Sequence, residues 1–423
     1  MLGIDLNKPD RDHRPLLALI NNVQTPYRVH LHRRIARELS DVRIASIYTH
    51  DQADQPWEAE RVDEINPVRF GRGQPMVEQG TLRWMIHDWK KAGRIIQWLN
   101  EHRACAVILG GYNDSTRLRL IHWCRRGGVP CFVWGDSNIH GDLASGLKQV
   151  VRTRVVRWVV RNAVGLMPCG TFGQMFFERY GAEPERCFFV PYEPDYELIR
   201  SVPESAVAEV RTAFGLGQAR RRLVVCARLV RAKRVDLAVD AFAAVADERP
   251  EWDLVIIGGG VLSNKLKARV PAALQWRVIW TGFIGDQARI SAIYRASDVL
   301  ICPSDYEPWA VVINEAAAAG LAIVASSVVG AAAELVKDGI NGRLFPAGDL
   351  RALTECLRDV TSAGSINWLR AGSADVLADW QRRGDPVEGI RRALRFAGVI
   401  GASDRSVRQR EGAGANLHMH PGP

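Results

Sequence analysis

Apolar and polar positions along this chain fall into alternating blocks. Residues 16–20 (Leu16-Leu17-Ala18-Leu19-Ile20) form an unbroken apolar run halted by Asn21-Asn22. A short apolar run bounded by turn-forming residues predicts a strand buried on both faces. Thr25 is then placed to cap a helix with Pro26 at its first position, where a missing N–H costs nothing, and that helix should run to about Leu39. Residues 42–48 predict a second strand. From 82 to 99, Leu82, Met85, Ile86, Trp89 and Ile96 recur at helical spacing. Residues 106–110, 130–135 and 165–169 predict further strands, separated by Arg-rich helical stretches. Such alternation argues for a parallel sheet with helices on both faces.

The second half repeats this order, with apolar runs at 223–227, 255–257, 299–302 and 322–325. Between the halves, residues 194–222 are polar and carry Pro203, Gly215 and Gly217, as expected of a connection between domains. The fold class is therefore α/β: two Rossmann-like, doubly wound domains facing across a cleft, with the site at the carboxyl ends of their strands. The boundaries fall at 1–200 and 201–385, followed by a helix within 386–400. The Gly-, Arg- and Ser-rich segment 401–423 is expected to be a disordered tail.

Composition narrows this picture. A chain of 423 residues exceeds what one core usually holds, and 47% hydrophobic with 24% charged residues is the balance of a globular protein. A formal charge of +9 implies an acidic partner. The eight cysteines show no C-x-x-C spacing, so they read as reduced thiols and the expected location is cytoplasmic. The first residues (Asp5, Lys8, Asp10, Arg11, Asp12) lack the apolar core of a signal peptide. Residues 316–333 are uncharged, yet their Ala, Gly and Ser content fits a helix end, turn and strand better than a membrane span.

The chemistry concentrates after the run at 299–304. Glu307-Pro308-Trp309-Ala310-Val311-Val312-Ile313-Asn314-Glu315 puts one carboxylate in the loop above a strand end and a second about two turns into the next helix, with Pro308 suited to that helix's first position. Free N–H groups at the helix start suit a diphosphate. Leu223-Val224-Val225-Cys226-Ala227-Arg228 followed by Lys233 places two cations after another strand. Gly258-Gly259-Gly260 ends a third. Its spacing departs from G-x-G-x-x-G because position 263 is Ser, so it suggests close approach of backbone to a nucleotide rather than an NAD site.

A strand ending in Pro-Ser, then Glu-Pro-aromatic, then a second Glu eight positions after the first, resembles the donor-site signature of glycosyltransferase family 4. The resemblance extends to Arg228 and Lys233, Val255-Ile256-Ile257-Gly258-Gly259-Gly260, Trp280-Thr281-Gly282-Phe283 and Glu334-Leu335-Val336-Lys337-Asp338-Gly339, all in the family's order. It implies the GT-B fold, a last helix (about 387–396) returning to the first domain, and retaining transfer from a nucleotide sugar (UDP- or GDP-linked). It further implies that Arg228 and Lys233 hold the diphosphate, so that no metal or other cofactor is expected. Glu315 would accept the ribose hydroxyls, and Glu307 would contact the transferred sugar, acting covalently or through a short-lived ion pair. Gly258, Gly259 and the backbone of Trp309, Ala310 and Val311 would complete the donor contacts. Ala310 stands where the family often has Gly. The family's N-terminal Gly-Gly loop is replaced by Asn21-Asn22-Val23-Gln24-Thr25-Pro26, which puts phosphate contact from that side in doubt. A candidate base falls on Asp136 or His140.

The family's acceptors are glycans or lipid-linked saccharides, and the setting implied is envelope, capsule or exopolysaccharide synthesis. Basic and aromatic helices carrying Arg33, Arg34, Arg37, Trp84, Trp89, Lys90, Lys91, Arg94, Trp98, Arg152, Arg154, Arg157, Trp158 and Arg161 suit peripheral contact with anionic membrane. They equally suit core tryptophans beneath solvated arginines. A nucleic-acid partner has no motif behind it. The competing reading is a non-catalytic GT-B scaffold binding a nucleotide or partner chain.

Overall fold

The computed structural model describes residues 13–51, 62–74, 84–143 and 145–401. The first sheet holds β1 (Leu16–Asn21), β2 (Arg43–Tyr48), β3 (Pro67–Arg69), β4 (Ala104–Gly110), β5 (Cys131–Gly135) and β6 (Gly165–Pro168) in the order 3-2-1-4-5-6. The second holds β7 (Arg221–Cys226), β8 (Trp252–Ile257), β9 (Val278–Gly282), β10 (Val299–Cys302), β11 (Ala322–Ser326) and β12 (Gly342–Phe345) in the order 12-11-10-7-8-9. All pairings are parallel. Counted from its own first strand, the second sheet has the same order as the first. Each sheet thus reverses direction once, between β1 and β4 and between β7 and β10. A ligand crevice is expected at the carboxyl ends of such a pair.

The unbroken apolar runs exist because both faces of each sheet are covered. Leu17 and Leu19 of β1 pack into one core with Val29, Leu31 and Ile35, while Ala18 and Ile20 face the other with Ile95, Leu99 and Leu120. In the second sheet Leu223 and Val225 of β7 face one core and Val224 the other.

Three expectations change in detail. Thr25 does precede a helix (Pro26–Glu38) with proline in its first turn, but its hydroxyl makes no capping bond. The helix placed at 82–99 runs Met85–Glu101, and Leu82 lies outside the described residues. Of the expected stripe, Ile96 packs partly buried against the core beside the buried Ala92, Ile95 and Leu99, while Met85, Ile86 and Trp89 are exposed. The inward positions near its start are instead Asp88 and Lys91, whose ion pair (3.0 Å) is completed by Gln74, while Trp89 lies under the Arg119 guanidinium. The polar stretch 194–222 is folded: helices Tyr196–Arg200 and Glu204–Phe214 put Tyr196, Val207 and Val210 into the second domain's core.

The chain crosses between domains near 193 and again near 385. The final helix, Pro386–Phe396, is capped by Asp385 and buries Val387, Ile390 and Leu394 against Leu17 and Leu19. Arg34, on the Pro26–Glu38 helix, grips both crossings: its guanidinium pairs with Glu193 and, at 2.8 Å, with Asp385, and also bonds Glu38. Glu193 is buried, and that burial lifts its carboxyl to about 7 against the pull of Arg34. A carboxyl raised on folding costs stability as pH climbs from its unfolded value near 4.5 through 7. Arg34→Ala would raise it further, so the loss should concentrate at alkaline pH. We expect about 3 kcal/mol at pH 8 and clearly less at pH 5.5, where Glu193 is already protonated. Thermal or denaturant unfolding at the two pH values checks this, and equal losses would remove the Arg34–Glu193 pair from the account.

Candidate active site

A cavity of about 340 Å³ lies at the reversal point of the second sheet, between the ends of β7 and β10. Its wall brings together Arg228, Lys233, Gly258, Gly259, Glu307, Ala310 and Val311, and adds Phe283, Ser304 and Val312. Of the donor-side residues expected from sequence, Glu315 and Trp309 lie off this wall.

Each wall residue is placed by local chain geometry. Gly258 has φ of 139°, and a Cβ there would sit 1.9 Å from the Ala227 carbonyl oxygen, so only glycine lets the turn after β8 pass against the loop after β7. Lys233 ends the 3-10 turn Arg231–Lys233 and points across the crevice to Glu307. The Ser304 hydroxyl donates to the same Glu307 oxygen at 2.9 Å. Arg228 is exposed, and its guanidinium has no partner among the described residues.

Pro308 does not open the next helix. That helix is Val311–Ala318, entered through Ala310 in the left-handed region (φ 81°, ψ 78°). Its first N–H groups, those of Val311 and Val312, lack intrahelical acceptors by geometry and stand at the cavity wall. Glu315 is consequently one turn into the helix, not two. It is buried behind the wall and accepts from Tyr294 Oη (3.0 Å) and Gln287 Nε2 (3.0 Å). Burial lifts its carboxyl to about 6, and the two donors hold it from rising further. The Trp309 side chain turns away, donating to the Tyr192 carbonyl (2.8 Å) and packing on Trp380.

Across the cleft, Asp136 follows β5. It is open to solvent on one side and crowded by protein on the other, and that crowding raises its carboxyl against the opposing charge of Arg28. His140 is exposed, edge-on to Phe172 (4.6 Å), with its pKa lowered by partial burial. The intervening Asn138, which sequence reading did not single out, ties the domains together. Its amide donates to the carbonyls of Glu307 (3.1 Å) and Val328 (3.2 Å). No local pattern marks such a contact, because its partners lie 169 and 190 residues away.

The first sheet's own reversal point is filled. Arg117, fully buried, bonds Asp114, Asn22 and the Gly110 carbonyl there. Asn22 is thus occupied where a Gly-Gly loop was missing. Asp114 caps the Ser115–Gly127 helix through the Arg117 N–H, and this Asp-to-Arg i,i+3 spacing was the one available signal. Among the described residues no group of three or more His, Cys, Asp or Glu side chains is placed to hold a metal ion. None of their helices is long and apolar enough to cross a membrane.

Two facing sheets of one strand order, with a cation-lined crevice at the reversal of the second, define the GT-B architecture. The fold agrees with that of solved glycosyltransferases. HepE of Anabaena, in complex with UDP and glucose, superposes with a TM-score of 0.67 at 18% identity, covering 92% of this chain and all of that one. WaaG, a glycosyltransferase involved in lipopolysaccharide biosynthesis, gives 0.62 at 17% identity over 90% of this chain and all of its own. In sequence, the lipopolysaccharide core biosynthesis mannosyltransferase LpsB of Rhizobium meliloti is 30% identical over 295 residues, 64% of this chain and 82% of that protein. The mannosylfructose-phosphate synthase of Agrobacterium fabrum is 25% identical over 73% of this chain and 72% of its own length. Residues 220–362 match the family model described as glycosyl transferases group 1. The chain belongs to that family and is a glycosyltransferase.

Ala310 gives this site a measurable property. A left-handed conformation costs a residue with a Cβ about 1–2 kcal/mol, more than glycine's extra unfolded-state entropy returns. Ala310→Gly should therefore raise the melting temperature by about 2–4 °C. Differential scanning calorimetry checks it, and a fall would mean that Ala310 packing outweighs the strain.

Proposed function

We propose that the chain is a retaining glycosyltransferase that moves a hexose from a nucleoside diphosphate to a glycan or lipid-linked saccharide in envelope or exopolysaccharide assembly. The observation that carries this reading is the cavity between β7 and β10, where Arg228, Lys233 and the start of the Val311–Ala318 helix converge. Breaking the bond from the anomeric carbon to a diphosphate builds negative charge on the leaving group. Fixed cations and unpaired N–H groups aimed at that charge stabilise the transition state. Arg228 supplies a planar fork and Lys233 a point charge held in register by Glu307. The two cations carry the role a divalent ion plays elsewhere, so turnover should survive chelation. Glu307 contacts the transferred sugar, and Glu315 receives the ribose hydroxyls, exchanging its bond to Gln287 or Tyr294 for them. Asp136 faces the acceptor side. The naming of LpsB and WaaG for lipopolysaccharide synthesis supports an envelope acceptor.

Calorimetric titration with UDP, GDP and ADP tests the donor site. One diphosphate should bind wild type, and Arg228→Ala should weaken it at least tenfold, with turnover falling further because leaving-group charge grows toward the transition state. Burial lifts the Glu315 carboxyl to about 6, so affinity for a nucleotide sugar, whose phosphates do not titrate in this range, should fall as pH drops below that value, and the dependence should vanish in Glu315→Gln. Affinity flat from pH 5 to 8 in wild type would refute the ribose role.

The same reading places the enzyme at an anionic membrane surface in the cytoplasm. Met85, Ile86, Trp89, Leu143, Leu147 and Val151 are exposed on the first domain, with Lys90 and Lys148 on the same two helices, while Arg152 is held by Asp142. Arg34, Arg37 and Lys91 are instead engaged by carboxylates and are not part of that face. Co-sedimentation with anionic vesicles at low salt should drop several-fold in Trp89→Asp/Leu147→Asp. Wild type that stays in the supernatant would end the membrane reading.

A further inference from the structure

At the opposite end of the second sheet from the donor cavity lies a second cavity of about 310 Å³. Its walls carry six arginines: Arg211, Arg220, Arg221, Arg222, Arg295 and Arg370. Asp298 is the acid on the wall, shared by Arg370 (2.8 Å) and Arg221 (3.6 Å). Glu204 pairs with Arg211 at 3.0 Å from outside it, and Asp253 takes a two-pronged bond from Arg220 (2.6 and 2.7 Å). Three carboxylates are thus set against six guanidinium groups.

Some of this charge has a structural task. Arg222 donates to the Ala296 carbonyl (2.7 Å) at the end of the Gln287–Arg295 helix, Arg370 to the Gly320 carbonyl (3.1 Å) after the Val311–Ala318 helix, and Arg295 to the Val202 carbonyl. These bonds do not exhaust the donors. Arg222 is 2% exposed and its Nε–H has no partner, and the buried Nε–H of Arg211 has none either. A buried guanidinium N–H left unpaired is costly. Burial, together with the neighbouring charges of Arg211 and Arg220, outweighs Asp253 and Asp298 and lowers the pKa of Arg222, so its cation is under-compensated.

We propose that this cavity is a binding site for a small phosphorylated molecule, separate from the donor site. A phosphomonoester carries about two negative charges, which answers the surplus of positive charge on these walls. Arginine forks match its geometry in two-pronged bonds. The cavity volume stands at the low end for small-molecule sites, which favours a compact metabolite over a polymer. The site does not depend on the donor reading, because none of its residues lines the donor cavity.

The test uses the full chain and inorganic phosphate as probe. Calorimetric titration, at ionic strength held constant with chloride, is run on Arg228→Ala, in which the donor site is weakened. It is repeated after adding Arg211→Gln and Arg221→Gln, two partly exposed positions chosen so that Arg222 stays in place. We expect one saturable phosphate per chain in Arg228→Ala, weakened at least tenfold by the two added changes. Absence of saturable binding, or binding that the added changes leave intact, overturns the proposal. Should the triple variant not fold, the melting temperature of Arg228→Ala decides: a rise in phosphate beyond that in sulfate at equal ionic strength supports the site, and an equal rise refutes it.

Discussion

The ion pair of Lys233 with Glu307 spans the crevice where the second sheet reverses direction, and the donor side of the molecule is arranged around it. One partner comes from the turn after β7 and the other from the loop after β10, so the pair joins two loops that the sheet topology drives apart. Neither side chain is fully in water, and desolvation offsets much of the attraction between them. Ser304 recovers part of that cost by donating to the same carboxylate. What the pair contributes is chiefly position: it holds an ammonium group beside the start of a helix whose N–H groups already favour negative charge.

The same loop fixes how the two domains meet. The Glu307 carbonyl accepts from Asn138 of the first domain, and the neighbouring Trp309 reaches Tyr192 near the first crossing of the chain. On the far side, the Glu334 carboxylate accepts from the Thr171 N–H at 2.8 Å. Arg34 then holds both crossings to one helix of the first domain. A segment of four residues, 307–310, therefore has two jobs. Its carboxylate faces the donor cavity, while its carbonyl and indole face the other domain. The strained backbone at Ala310 is where the chain turns from one task to the other.

The strands were legible because they are buried on both faces, which writes a continuous apolar run into the sequence, as in β1 and β10. Arg228, Lys233, Glu307 and the glycines at 258 and 259 were legible because each follows such a run directly, and a residue just past a parallel strand has few places to go. Helix faces were less so. Met85, Ile86 and Trp89 have core spacing yet lie outside, because a buried Asp88–Lys91 pair takes the inward positions. Pro308 has the look of a first helical residue, but the positive φ at Ala310 delays the helix by three positions and draws Glu315 closer to its start. Asn138 was illegible for a different reason, since it acts on groups remote in sequence, and so was the bond from Arg117 to Asn22, 95 residues away.

Three elements run from the arginine cavity at the back of the second domain to the donor cavity at its front. β7 begins with Arg221 and Arg222 and leads through Cys226 to Arg228. The helix Gln287–Arg295 ends at the arginine cavity, while its Gln287 and Tyr294 hold the Glu315 carboxylate. The helix Val311–Ala318 starts at the donor cavity, and the carbonyl just beyond its end is held by Arg370. A sheet strand and two helices packed at core density transmit displacement rather than absorb it. Charge neutralised among these arginines would relax repulsion at the ends of the same elements whose other ends position Arg228, Glu315 and the first N–H groups of the Val311–Ala318 helix. Continuity of structure alone does not make two sites interdependent; that requires an element with two arrangements that both ligands bias. The Gln287–Arg295 helix has the connections for it, because Arg295 lines the arginine cavity and the adjacent Tyr294 holds Glu315 behind the donor-cavity wall.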